Sequence, residues 1–242
     1  MKLTATSILH YVKLIARSLL FICALTFYVL NFTVSDDFVN YLYLFLSFVW
    51  ILYAIEIFLR FFPSKIESPG CQKPFAKNYE EIENEKPQLQ SWKRTLVVII
   101  FWLTLNALIG ILYYTGIIDR EILILVSLAY GVCDMICILF FCPFQTWIMK
   151  NRCCTTCRIY NWDFAMMFTP YIFIPHVYTW SLLGLSLLLL IKWEVTLKLH
   201  PERFSDKTNA CIACKNCTEK LCVHKKQLQR FLKKYKERFW TK

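Results

Sequence analysis

Four cysteines fall within twelve residues near the end of this chain, in the stretch CIACKNCTEKLC, residues 211–222. Two-residue gaps let a tight turn reverse the backbone between ligands, so Cys211, Cys214, Cys217 and Cys222 can surround one ion or cluster as thiolates. The tail that holds them, residues 198–242, is too short and too polar to fold on an apolar core of its own. Such segments commonly depend on a metal, disulfides or docking. Metal or cluster binding is the expected chemistry. A second group, Cys153, Cys154 and Cys157 in RCCTTCR, precedes it in the chain. Cys154 and Cys157 offer half of a split zinc site completed by two tail cysteines. They also offer a thiol–disulfide pair, with Arg152 and Arg158 beside it to lower a thiol pKa. His200 and His224 flank the tail cluster as alternative ligands.

The tail stretch resembles the cluster-binding signature of bacterial ferredoxins, Cys-x2-Cys-x2-Cys-x3-Cys-Pro. Cys211, Cys214 and Cys217 match in register, whereas Cys222 comes one residue late and Val223 stands where proline is expected. In two-cluster ferredoxins the fourth cysteine serves the other cluster, and this chain carries no second copy of the motif. The resemblance covers only these twelve residues. It implies iron–sulfur ligation there and not a ferredoxin fold. A four-cysteine zinc site remains open beside it.

The elements that must position these thiols read as membrane helices. Of 242 residues, 57% are hydrophobic and 19% are charged, a balance tilted towards lipid as solvent. The apolar residues come in five long blocks, at about 14–32, 40–62, 95–117, 122–141 and 171–197, and a bilayer core needs roughly 20 apolar residues per helix. The expected fold is an all-α, polytopic helical membrane domain over residues 1–197. Residues 63–94 form a polar linker, with a short helix expected around NYEEIENEK. A basic, cysteine-rich tail follows from 198. The first block is too long for a signal-peptide core and has no small-residue cleavage site after it, so it reads as a retained helix.

Charge supplies an orientation. Lys and Arg concentrate in the N-terminal stretch, in the linker and in the fourth connection (residues 142–170), while the first and third connections hold only Arg120. By the positive-inside rule the first set is cytoplasmic. The tail has thirteen basic residues against four acidic ones and by the same rule also belongs inside, whereas five spans put it outside. Either a hairpin over residues 159–197, broken by Pro170, Pro175 and His176, adds a sixth crossing and keeps the tail inside, the preferred reading, or the five spans stand and the tail is outside, since long segments can translocate despite their charge. Residues 223–242 place Leu228, Phe231, Leu232, Tyr235 and Phe239 at helical spacing opposite Lys and Arg, the pattern of a helix lying on anionic headgroups. No recognition motif for nucleic acid accompanies the charge.

Among polar residues inside the blocks, Asp134 lies near mid-helix in the fourth. Its two readings are an intramembrane functional carboxyl and a buried group hydrogen-bonded to Asn106. Glu56 and Arg60 are spaced for a local pair. Cys133 and Cys137 share a helix face, Lys192 can snorkel, and His176 is a ligand or a helix cap. No nucleotide loop, hydrolase elbow or metalloprotease helix motif is present. The expectation is a multi-pass cell-membrane protein with iron–sulfur or zinc in its tail, engaged in membrane-anchored electron transfer with a redox or membrane-protein partner. A zinc-fixed scaffold and a membrane thiol–disulfide oxidoreductase are the alternatives. A transporter using Asp134 ranks below them, because repeat symmetry is not evident.

Overall fold

A computed structural model describes residues 4–31, 38–151, 153–217 and Cys222. Five long helices dominate: α1 (Ala5–Asn31), α2 (Phe38–Leu59), α4 (Trp92–Tyr114), α5 (Arg120–Leu139) and α7 (Val177–Leu199). Two short ones, α3 (Pro69–Gln72) and α6 (Asp163–Met167), sit in the connections. Among the described residues the β pairing is a single antiparallel bridge, Glu81 to Asn209. Three stretches are long and apolar enough to cross a membrane: Ala5–Leu30, Trp92–Tyr114 and Arg120–Leu139. Leu44–Leu59 is a shorter apolar helix stretch. Leu, Ile, Val and Phe side chains stand exposed along α1, α2, α4 and α7, a surface suited to lipid rather than water.

Helix α1 begins well before the apolar block that suggested it, because Lys13 and Arg17 are drawn into the bundle by acidic partners on other elements. It runs antiparallel to α5: Tyr11 meets Phe140, and Arg17 meets Gly131 and Asp134. Tyr53, Phe164, Phe168 and Tyr171 form the aromatic centre of the core.

The chain between the fourth connection and α7 is the irregular part. A 3-10 turn at Arg158–Trp162, then α6, then a second 3-10 turn at Thr169–Phe173 climb the bundle as one arm, before α7 descends. The arm starts beside the lower ends of α3 and α7, where Arg158 and Trp162 bond Glu194. It ends beside Gly110 and Tyr114 at the far end of α4, where the Phe173 ring packs. Pro170 and Pro175 cannot continue a helix, and the freed backbone groups find side-chain partners. Ser127 donates to Met167 O (2.8 Å), Thr169 to Ala165 O (2.7 Å) and Thr179 to Ile174 O (2.6 Å). His176 caps α7, its Nδ1 accepting from Tyr178 N at 3.4 Å. Buried backbone groups that no helix pairs are satisfied by side chains in this way.

Linker and tail are not separate solvated segments. The helix expected around NYEEIENEK does not form, because residues 80–82 pair with the tail instead: Ile82 N donates to Thr208 O (3.0 Å) and Ala210 N to Glu80 O (2.8 Å). Gln88 N donates to Ser205 Oγ (3.0 Å) and Arg203 to Pro74 O (2.9 Å). Phe204 and Ile212 are buried, Phe204 edge-on to Trp193 of α7. The start of the tail thus gains its core by docking. Lys13 of α1 reaches Glu67 of the linker at 2.8 Å. The start of α1, the linker, the fourth connection and the start of the tail therefore meet at one end of the bundle. The interfacial helix expected at 223–242 lies outside the described residues.

Candidate thiol site

The fourth connection is built around two residues whose roles no motif announced. Lys73, one residue past α3, is buried and donates from Nζ to Thr155 O (2.6 Å) and Cys157 O (3.2 Å). The Cys153–Cys157 loop thus closes over a lysine head that also lies 5.4 Å from the Trp193 ring. Burial pushes the Lys73 amine down to about 8, against the pull of the Cys157, Cys71, Cys153 and Cys154 sulfurs. Gln145, in a π-helical turn at Phe144–Ile148, is the second organiser. Its backbone N–H donates to Cys142 Sγ (3.4 Å), and its side-chain carbonyl accepts from Cys154 Sγ at 3.0 Å. Single π turns recur at functional sites because they re-aim side chains. Ser68 and Tyr160 lock α3 to the arm through a 2.9 Å hydroxyl pair. The Tyr160 ring lies over Gly70, where a Cβ would come within 2.6 Å of it.

These supports place five cysteines, Cys133, Cys137, Cys142, Cys154 and Cys157, around one cavity of about 130 Å³. Met166 and Met167 add thioethers to its wall, Trp102 and Tyr130 (rings 4.7 Å apart) an aromatic side, and Asp134 and Asp163 an acidic inner edge. The Cys137 and Cys142 thiols are hydrogen-bonded to each other. Beside the cavity, Cys153 is hydrogen-bonded by the Cys222 thiol and by the Thr155 hydroxyl at 2.9 Å. Those bonds, the Cys222 one foremost, hold the Cys153 thiol down at about 5 despite burial. Burial pushes Cys157 and Cys71 up to about 12.

Cys214 is exposed, Cys211 and Cys217 are half-buried, and Cys222 is turned to Cys153. Among the described residues no three His, Cys, Asp or Glu side chains converge on a position for one metal ion. The expected thiol activation by arginine takes another form: Arg158 goes to Glu194 (2.5 Å) and the Trp92 ring (4.8 Å), and Arg152 lies outside the described residues. His200 bonds Glu202, and His224 is also outside them.

Asp134 belongs to a buried ionic cluster. Arg17 bonds Asp134 (3.0 Å), Glu56 (3.1 Å) and Gly131 O (3.1 Å). Lys13 pairs with Glu56 (2.9 Å) and Glu67 (2.8 Å), and Arg60 pairs with Asp163 at 2.6 Å. Arg60 therefore pairs across the bundle rather than with Glu56 one turn away, and Asn106 bonds Trp102 O instead of Asp134. Lys192 reaches Phe61 O at 2.7 Å. Four carboxyl groups face three bases in this cluster.

Compared with known proteins, the chain matches no protein-family model, no curated protein and no solved structure.

Proposed function

We propose that this chain is a multi-pass membrane protein whose charged end carries out thiol–disulfide exchange, with Cys153 as nucleophile and Cys222 as resolving thiol. The single observation that carries this is the contact between the two. It joins the fourth connection to the tail and sets a second thiol against Cys153, whose pKa that contact lowers. The Cys153 thiolate attacks a partner's disulfide, forming a mixed disulfide and releasing one partner thiolate. Cys222, losing its proton, then attacks the Cys153 sulfur, releasing the second partner thiol and leaving a Cys153–Cys222 disulfide. The partner is reduced by two electrons and the pair is oxidised by two. A cellular dithiol or low-molecular-weight thiol returns it to the start.

The topology that goes with this reading has six crossings: α1, α2, α4, α5, the arm and α7. Its support is the meeting of the start of α1, the linker, the fourth connection and the tail at one end, together with the basic residues in those segments. That end is cytoplasmic in this reading. Reporters fused within residues 83–88 and after Lys242 are expected to read out on the same, cytoplasmic face; opposite faces would overturn the sixth crossing.

Mild oxidation with diamide followed by non-reducing peptide mass spectrometry tests the chemistry. A Cys153–Cys222 disulfide is expected first, and in Cys222→Ser a mixed disulfide between Cys153 and added glutathione. If Cys153 stays reduced while other cysteines oxidise, the assignment fails. Iron–sulfur or zinc ligation by Cys211, Cys214, Cys217 and Cys222, for electron transfer or as a scaffold, requires Cys222 to leave Cys153. Iron, sulfide and zinc analysis after anaerobic purification separates that reading from exchange.

A further inference from the structure

The exchange reading uses Cys153 and Cys222 and leaves the cavity behind them unexplained. Five thiols and two thioethers around about 130 Å³ are an unusual lining for a bundle interior, where cysteine ordinarily packs singly as a small hydrophobe. Their donor type is uniform and soft. From this lining we infer that the cavity binds a soft monovalent metal ion, Cu(I), between the sulfurs of Cys137 and Cys142.

Three observations choose the ion and the pair. Thiolate and thioether donors select Cu(I) over harder ions. Zinc, the other common thiolate metal, takes four ligands in a tetrahedron, and among the described residues not even three candidate ligands converge. A monovalent soft ion is satisfied by two sulfurs. Cys137, near the end of α5, and Cys142, held by the Gln145 backbone N–H at 3.4 Å, already touch through a hydrogen bond. Met166 and Met167 stand in the same wall as weaker donors.

The third observation is the acidic edge: Asp134 and Asp163 put two carboxyl groups on the cavity wall, a lining suited to a cation. Each thiol that binds gives up its proton. Asp134 and Asp163 line the same cavity and are the acceptors at hand, so the ion adds its own single charge and nothing more. No electron is transferred in this step. The inference stands apart from the exchange reading, since the two use different thiols.

The experiment uses the full chain with Cys211, Cys214, Cys217 and Cys222 all replaced by serine, reduced and kept anaerobic in detergent, and titrated with Cu(I) against a chromophoric Cu(I) chelator. One equivalent is expected to be held, and X-ray absorption at copper should show two sulfur neighbours. Adding Cys137→Ser and Cys142→Ser should weaken binding at least tenfold, with circular dichroism confirming that the helices persist. Absence of binding in the tail variant overturns the inference. So does full binding after loss of Cys137 and Cys142, or a copper site with three or four sulfurs. Failure here leaves the Cys153–Cys222 disulfide to be found or not on its own terms.

Discussion

Replacing Arg17 by leucine is the sharpest perturbation of this bundle. Arg17 is 3% exposed and holds two carboxylates and a carbonyl, with its guanidinium 5.5 Å from the Tyr53 ring. Leucine leaves Asp134 without its base and Glu56 with Lys13 alone, so four carboxyl groups face two bases. Interhelical hydrogen bonds in membranes average only about 0.6 kcal/mol, because the unfolded helices find other partners in lipid. An unpaired buried charge is a different matter, at about 3–5 kcal/mol. The second term decides, so Arg17→Leu is expected to cost about 3–5 kcal/mol by the same measure. Asp134→Asn keeps an amide oxygen for Arg17 and brings the cluster to three acids against three bases, so it should cost less than about 1 kcal/mol. The double variant Arg17→Leu/Asp134→Leu removes the unpaired carboxyl group along with its base and should recover most of the loss. Equilibrium unfolding in mixed detergent–SDS micelles, followed by helical circular dichroism, gives all three values. Equal costs for Arg17→Leu and Asp134→Asn, or a cost of Arg17→Leu below about 1 kcal/mol, would refute the charge-balance reasoning.

Gly110→Ala places a methyl within 2.3 Å of the Phe173 ring and should destabilise by about 1–3 kcal/mol. Gly184→Ala meets nothing within 4 Å and should be neutral or stabilising by up to about 1 kcal/mol, both read by the same unfolding assay. Because Cys153 is held at about 5 against an ordinary value of 9.0, its contribution is full above pH 9 and lost as pH falls towards 5. Cys153→Ser should therefore flatten the rise in stability between those limits, and an unchanged pH profile would contradict the assigned thiolate. Truncation after Cys217 should leave the Ile82 amide protected from hydrogen exchange by Thr208, whereas truncation after Leu199 should release it. Equal protection in the two truncations would show that the tail does not hold the linker.

The long helices were legible because unbroken apolar blocks of membrane length admit few other structures. The charges were harder to read. Lys13 and Arg17 look like loop residues of an N-terminal stretch, yet both are bonded inside the bundle, and their partners Glu56, Glu67 and Asp134 come from three other elements. The i, i+4 rule placed Arg60 beside Glu56, but Asp163, brought close by an arm broken at its prolines, offered a better-buried partner. Lys73 and Gln145 carry no local signal, since their importance lies in carbonyls and sulfurs that only the folded connection presents to them. The cysteine spacing at 211–222 was local and readable. That Cys222 turns to Cys153 is a contact between distant segments, fixed by docking of residues 200–212 on the linker, and spacing alone does not encode it.

The thiols and the basic residues occupy the same end of this bundle, and the coincidence constrains the chemistry. On a cytoplasmic face the surrounding thiol pool keeps cysteines reduced, so disulfides there are transient and catalytic or redox-sensing rather than structural. A thiol with a lowered pKa, and a second thiol already in contact with it, suits transient use. The same reducing surroundings hold copper as Cu(I), the valence that soft sulfur donors select. On the external face both arguments weaken together: the pair would rest as a disulfide and the cavity thiols would meet an oxidising milieu. The side on which Lys242 lies therefore decides between a working thiol site and a stapled one.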